Sequence, residues 1–289
     1  MAASTPVESL LRRDYLVTIS ALAILIVLAW IYIASGAGTG MSAWDMTKLA
    51  LFPQSHPPAA MSDMNMAGMD IAGMDMSVPP ARPAATWTVI IAMWWVMMIA
   101  MMAPSAAPAI LLYGRVHRHS VAQGQLDAKI APTGAFAAGY LLVWLGFSLI
   151  AAGLQWFLVQ AGLVSELMMS SQSRWLSGGL LIAAGLYQLS PLKGRCLEHC
   201  RSPTQFISSN WRPGAVGAVR LGLLHGAYCV GCCWALMALL FVGGVMNLIW
   251  IVTLSALVLV EKLTPIGPML ARGIGTIFLI WGAAILLAH

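Results

Sequence analysis

The sequence predicts an all-α, polytopic transmembrane helix bundle of about seven helices. The first observation behind this prediction is composition: of 289 residues, 60% are hydrophobic and only 9% are charged. An ordinary globular domain has roughly 25% charged residues. The second observation is a series of long apolar runs. Most of them approach or exceed the ~20 residues that a helix needs to cross ~30 Å of hydrocarbon. Backbone polar groups in lipid must pair within their own segment, so we expect each run to be a helix.

Seven apolar runs are candidates for membrane spans. They comprise residues 15–35, 86–113, 133–162, 175–190, 217–242, 245–260 and 266–288. The run 175–190 is short and the run 245–260 barely reaches the required length, so these two are the weakest. The first run follows Arg12 and Arg13, as a signal peptide would. However, it exceeds the usual apolar region of about 7–15 residues, which indicates an anchor helix.

The third observation is the distribution of basic residues. With a cytoplasmic N-terminus, twelve of the fifteen Lys and Arg residues fall inside, and only Lys48, Arg82 and Arg174 fall outside. This asymmetry follows the positive-inside rule and predicts a periplasmic C-terminus in a multi-pass protein of the bacterial inner membrane. The net charge of +5 therefore requires no nucleic acid as a partner. The expected partner is the lipid bilayer, and small-residue faces such as Gly222 and Gly226 would allow homo- or hetero-oligomers.

The predicted organisation has three parts. Residues 1–35 form the anchor helix, residues 36–85 a periplasmic Met/Asp-rich loop, and residues 86–289 a six-helix metal-binding core. The loop carries the candidate ligands Met61, Met64, Met66, Met69, Met74 and Met76, interleaved with aspartates. Thioether sulfur is a soft ligand that suits Cu(I). Unlike a thiol, it tolerates an oxidising compartment. The alternative is compositional drift in a solvated linker.

The second helix carries further methionines. Two adjacent stripes repeat every four residues, Met93, Met97 and Met101 in one and Trp94, Met98 and Met102 in the other. Such residues share one helical face. We take Met97, Met98, Met101 and Met102 as candidate ligands, with ordinary helix packing by Met as the alternative.

The fifth helix has a stripe of His225, Cys229 and Cys232, with Cys233 beside it. Ionisable residues inside a membrane are candidates for function, although buried thiols can also be inert packing groups. The stripe lies at about the depth of the methionines. We therefore hypothesise that the two helices touch, with Met97 facing Cys229, and share one metal site.

The cytoplasmic segment 191–213 contains Cys196 and Cys200, one helical turn apart. The flanking residues Arg195 and Arg201 are expected to favour thiolates, so this pair could hold a metal. The alternative is two reduced cysteines without a role. The placement of all five cysteines argues against structural disulfides.

The acidic residue Glu261 lies at the inner end of the sixth predicted helix, beside Lys262. We expect an interfacial charge there, with a metal ligand or proton acceptor as the alternative.

Several of these motifs occur together in a known family. They are Trp94-x-x-Met97-Met98-x-x-Met101-Met102-Ala-Pro104, Cys196-x-x-x-Cys200-Arg201-Ser202-Pro203, the run from Gly222 to Cys233, and Glu261-Lys262. Over about residues 86–288 the chain resembles a bacterial domain-of-unknown-function family described as predicted metal-binding integral membrane proteins. The resemblance implies a membrane metal site and leaves its purpose open.

The sequence thus predicts a membrane copper-handling protein that captures Cu(I) with the methionine loop and holds it at an intramembrane Met/Cys/His site. The ion would then be transported, or delivered to a membrane cuproenzyme or copper chaperone. No nucleophile–base pair, phosphate loop or paired carboxylate is evident, so enzymatic activity is less favoured. The alternatives are a redox-active or a structural accessory subunit of a membrane enzyme complex.

Overall fold

The fold is described from a computed structural model that covers residues 6–38, 42–51, 86–123, 132–165 and 169–287. Within these ranges the chain is all-helical, and the only strand-like pairing is a single bridge between Val164 and Ser171. The described helices are α1 (Pro6–Ala34), α2 (Ala43–Leu51), α3 (Trp87–Ala122), α4 (Pro132–Gln160), α5 (Arg174–Leu189), α6 (Pro191–Arg201), α7 (Pro203–Asn210), α8 (Gly214–Ala238), α9 (Leu240–Gly243), α10 (Leu248–Leu263) and α11 (Gly267–Leu287).

Five segments in the described part of the chain are long and apolar enough to cross a membrane. They are Tyr15–Ala34, Trp87–Val121, Thr133–Gln160, Gly214–Gly243 and Gly267–Leu287. The two weakest predicted spans correspond to α5 and α10, which have 16 residues each. At 1.5 Å per residue such a helix is only about 24 Å long. The number of spans and the orientation of the termini therefore stay predictions.

Two helix pairs pack closely because glycines face the neighbouring backbone. A Cβ added to Gly226 of α8 would lie 2.9 Å from the Cβ of Val143 in α4. In the other pair, a Cβ on Gly185 of α5 would lie 2.8 Å from the carbonyl oxygen of Gly275 in α11. Small residues at these positions let the backbones approach closely, as is common where membrane helices pack.

One end of the bundle holds α2, the start of α3 and the start of α10. Thr47 of α2 accepts a hydrogen bond from the backbone N–H of Leu248 at 2.8 Å. The Trp87 ring at the start of α3 packs on Trp156 near the end of α4, with ring centroids 5.9 Å apart. Helices α3 and α10 run in the same direction, because later residues of α10 contact later residues of α3, so the chain leaves α2 and enters α3 at the same end. The predicted methionine ligands between them, in residues 61–76, lie outside the described residues.

The segment predicted as a cytoplasmic loop, residues 191–213, is largely folded as α6 and α7. Proline occupies the first turn of each helix, where its missing N–H costs no hydrogen bond. The ring of His199 in α6 stacks on Tyr228 of α8, with centroids 4.1 Å apart. Phe206 of α7 is buried and packs edge-on against the same tyrosine. The two short helices are thus part of the packed bundle.

Candidate metal centre

The methionines of α3 all lie in the interior. Met93 is 1% exposed, and Met97, Met98, Met101 and Met102 are fully buried. Both predicted stripes are therefore enclosed, because α1, α4 and α10 all pack against α3. Burial of this kind is compatible with metal ligation by these methionines and equally with their packing between helices. Contacts with other sulfur atoms distinguish one member of the stripes, Met102.

The cysteines of α8 are equally buried and lie on adjacent turns. Cys229, Cys232 and Cys233 are each at most 2% exposed. The carbonyl oxygen of Cys229 accepts hydrogen bonds from the Cys232 thiol at 3.1 Å and from the Cys233 thiol at 2.9 Å. The helix thus holds the thiols of Cys232 and Cys233 against one carbonyl group, that of Cys229.

Sulfur atoms from two other helices reach these cysteines. The Sγ of Cys233 lies 3.7 Å from the Sδ of Met102 in α3. The Sγ of Cys232 lies 3.9 Å from the Sγ of Cys200 in α6. A metal–sulfur bond of about 2.3 Å allows one ion to bridge two sulfur atoms up to ~4.6 Å apart. We call the five residues Met102, Cys200, Cys229, Cys232 and Cys233 the sulfur cluster.

The hypothesis of a site shared between the methionine helix and the cysteine helix is consistent with a side-chain contact between these helices. The contacting pair differs from the expected pair of Met97 and Cys229. Met102 and Cys233 meet, whereas Cys229 lies beside Tyr140 and Lys262. The assignment of these side chains as metal ligands stays a prediction. In the described part of the chain, no group of three or more His, Cys, Asp or Glu side chains is arranged to hold a metal ion.

Two polar side chains that the sequence analysis missed contact the sulfur cluster. The Tyr140 hydroxyl of α4 lies 3.2 Å from the Cys229 Sγ and donates to the carbonyl oxygen of Met102 at 3.2 Å. The Lys262 ammonium of α10 lies 2.9 Å from the same Sγ and 3.3 Å from the Ser105 hydroxyl. A lysine at the end of an apolar run usually extends to the membrane interface, so its position in the sequence gives no signal for a buried site. The tyrosine lies in an apolar stretch and carries no signal either.

His225 lies one turn before Cys229 and is 2% exposed. Its ring packs among the rings of Phe136, Tyr140 and Phe206, with centroids 5.4–5.9 Å away. Its Nδ1 atom has no hydrogen-bond partner among the described residues. Buried polar atoms are normally paired, so this nitrogen is free to take a ligand.

Helix α6 is fixed against the bundle by a buried ion pair. Lys193 donates to the Oε2 of Glu261 at 2.6 Å, and both side chains are 2% exposed. Gln188 donates to the Oε1 of the same carboxylate at 2.8 Å. The expectation that Glu261 is an interfacial charge is therefore wrong, because a basic residue from the supposed loop is folded inward to meet it. We call Gln188, Lys193 and Glu261 the ion-pair clamp.

The cysteines of α6 differ from the sequence expectation in their acidity. Burial, with the nearby sulfur of Cys232, raises the pKa of Cys196 above its usual value. The hydrogen-bond contact with Cys232 and burial likewise raise the pKa of Cys200. The expected stabilisation of thiolates by Arg195 and Arg201 is therefore outweighed. Arg201 instead donates to the backbone carbonyl of Thr264 at 2.8 Å.

The fold and the site together define an all-α protein with several helices able to cross a membrane and a buried set of soft sulfur atoms. Residues 91–285 match the family model PpoB2, described as a copper chaperone, so the chain belongs to this copper chaperone family. No curated protein and no solved structure matches the chain significantly. The matched region contains the whole sulfur cluster and excludes residues 61–76. The predicted role in copper handling is confirmed at this level.

Proposed function

We propose that the protein is an inner-membrane copper chaperone that binds Cu(I) in the sulfur cluster and delivers it to a copper-dependent membrane protein. The observation that carries the proposal is the convergence of sulfur side chains from α3, α6 and α8 at one buried place. The family assignment supplies copper as the cargo. The thiols and thioethers that meet there have the softness that Cu(I) prefers, which supports this proposal.

The chemistry of the sulfur cluster favours Cu(I). Thiolates and thioethers are soft donors that select Cu(I) over hard cations. An ion taken into an apolar interior must have its hydration replaced by ligands. The pairs Cys200–Cys232 and Met102–Cys233 are each close enough to share an ion. Two sulfur atoms suffice for a low-coordinate Cu(I) ion, and the free nitrogen of His225 offers a further donor nearby.

Entry would use the methionines. Residues 61–76 connect to α3 at the end where Trp87 lies, and the methionine stripe begins at Met93. From Met93 to Met102 the helix rises about 14 Å at 1.5 Å per residue. Buried thioethers on consecutive turns would give an arriving Cu(I) ion a soft ligand at each step towards Cys233. In this proposal the loop captures the ion and the stripe conducts it inward.

Delivery would use α6. Cys200 contacts the buried Cys232, yet Cys200 and Cys196 are only half-buried. A thiol of an acceptor protein could therefore reach the ion through this pair, whereas Cys229 and Cys233 are enclosed. With the predicted orientation, delivery takes place on the cytoplasmic side.

Labelling of Cys196 by a membrane-impermeant maleimide only from the cytoplasmic face would support this orientation, and labelling only from outside would overturn it.

The test is equilibrium binding of Cu(I) to the full-length protein in detergent, in competition with a chromogenic Cu(I) chelator. Cys232→Ser should lower the affinity at least a hundredfold, because it removes the sulfur shared with Cys200. Met102→Leu should weaken binding about tenfold with packing preserved. Met237→Leu, at another fully buried methionine of the bundle, is the matched control and should leave binding unchanged.

Unchanged stoichiometry and affinity in Cys232→Ser would contradict the proposal. A folded wild-type protein that binds no Cu(I) would also contradict it, and the cysteines would then be packing groups of a structural subunit.

A further inference from the structure

In the part of the chain that the structure describes, the interior contains one positive charge that no carboxylate neutralises. In the described part of the chain, the buried charged side chains are Lys193, Glu261 and Lys262. Lys193 and Glu261 neutralise each other at 2.6 Å. Lys262 forms no ion pair with a carboxylate among these residues, and the polar side chains that it contacts are Cys229 and Ser105. An ammonium group at such a place needs a compensating anion.

The anion that can compensate Lys262 is a thiolate. Its Nζ lies 2.9 Å from the Sγ of Cys229, and Ser105 at 3.3 Å offers only a neutral hydroxyl. A cysteine binds a metal as the thiolate. When the sulfur cluster holds an ion, the lysine charge is therefore in direct contact with the Cys229 sulfur and shares one apolar enclosure with the other thiolates of the cluster.

We propose that Lys262 is a specificity-determining residue that makes the sulfur cluster selective for monovalent over divalent soft metal ions. This inference rests on the proposed function of the cluster. For an ion bound by two of the cluster's cysteines as thiolates, the two sulfur charges and the one ammonium charge sum to −1. A monovalent ion brings the enclosure to zero, whereas a divalent ion leaves it at +1. Uncompensated charge in a low-dielectric interior is unfavourable, so the monovalent ion is preferred.

Softness alone would not give this selectivity. Ag(I) and Cd(II) are both soft ions that bind thiolates, and they differ in charge. Competition between these two ions therefore isolates the effect of charge from the effect of ligand type. The wild-type protein should retain Ag(I) in the presence of a molar excess of Cd(II).

The experiment measures the Ag(I)-to-Cd(II) binding ratio of the full-length protein in detergent by elemental analysis after dialysis against both ions. Lys262→Leu removes the charge and, unlike methionine, adds no further sulfur ligand to the site. It should shift the ratio at least tenfold towards Cd(II), because the two thiolates are then neutralised by a divalent ion. Lys262→Arg keeps the charge and should retain the preference for Ag(I).

Ser105→Ala is the matched control, since it removes the other contact of Lys262 without changing charge, and its ratio should equal that of the wild type. An unchanged ratio in folded Lys262→Leu would overturn the inference. If that variant aggregates, Lys262→Gln replaces it, with the same expected shift and the same refuting result. Loss of metal binding by the wild type itself would instead refute the proposed function, so the two failures are distinguishable.

Discussion

Substitution of Glu261 by Gln should destabilise the protein strongly, because it leaves a buried ammonium group without its counter-charge. The two carboxylate oxygens are both in use, one by Lys193 at 2.6 Å and the other by Gln188 at 2.8 Å. Both members of the ion pair are 2% exposed, so water cannot replace the lost partner. Removing one partner of a buried pair costs about 3–5 kcal/mol. We expect about 3 kcal/mol, since the new amide keeps one oxygen near Lys193.

The assay is denaturant unfolding in detergent, followed by tryptophan fluorescence. A double variant, Lys193→Met with Glu261→Leu, is the appropriate comparison. Replacing both charges by apolar groups of similar volume is often nearly neutral. The double variant should therefore be more stable than Glu261→Gln. A loss below 1 kcal/mol in the single variant would refute the view that the ion-pair clamp is dry and closed.

Three further predictions concern packing, capture and ligation. Gly222→Ala should prevent α8 from docking on α4, because the new methyl group would meet the backbone of Phe136. A Cβ added to Gly179 meets no atom of the described residues within 4 Å, so the control Gly179→Ala should leave thermal unfolding unchanged. Deletion of residues 61–76 should slow the uptake of Cu(I) in stopped-flow measurements at least tenfold, yet leave the melting temperature of the core unchanged. Met102→Leu should release bound Cu(I) to a chelator about tenfold faster with no change in helicity, and an equal rate would argue for a packing role only.

Much of the helical architecture could be predicted from sequence, because apolar length alone identifies candidate spans. The spacing of the α8 cysteines along the helix also followed from helical periodicity, and all three are buried. What could not be predicted is how segments fold back on one another. The composition of the segment with Cys196 and Cys200 predicts a charged loop. The segment is instead helical and places Cys200 beside Cys232.

One physical reason explains both the wrong environment predicted for Glu261 and the missed roles of Lys262 and Tyr140. Glu261 and Lys262 stand at the end of an apolar run, where a charge normally faces water or lipid headgroups. Their burial depends on partners that are distant in the chain, Lys193 and Cys229 respectively. Tyr140 lies in an apolar stretch and reaches the cluster only because the glycines of α8 admit α4 at close range. Long-range contacts of this kind leave no local pattern in a single sequence.

The central claim is that Cu(I) is bound by sulfur atoms from three helices, and X-ray absorption spectroscopy of the copper-loaded protein tests it most directly. The account predicts an edge typical of Cu(I) and a first coordination shell dominated by sulfur at about 2.3 Å. In the Cys200→Ser, Cys232→Ser double variant this shell should lose sulfur scattering. A first shell of oxygen and nitrogen alone in the wild type, or an unchanged sulfur shell in the double variant, would contradict it.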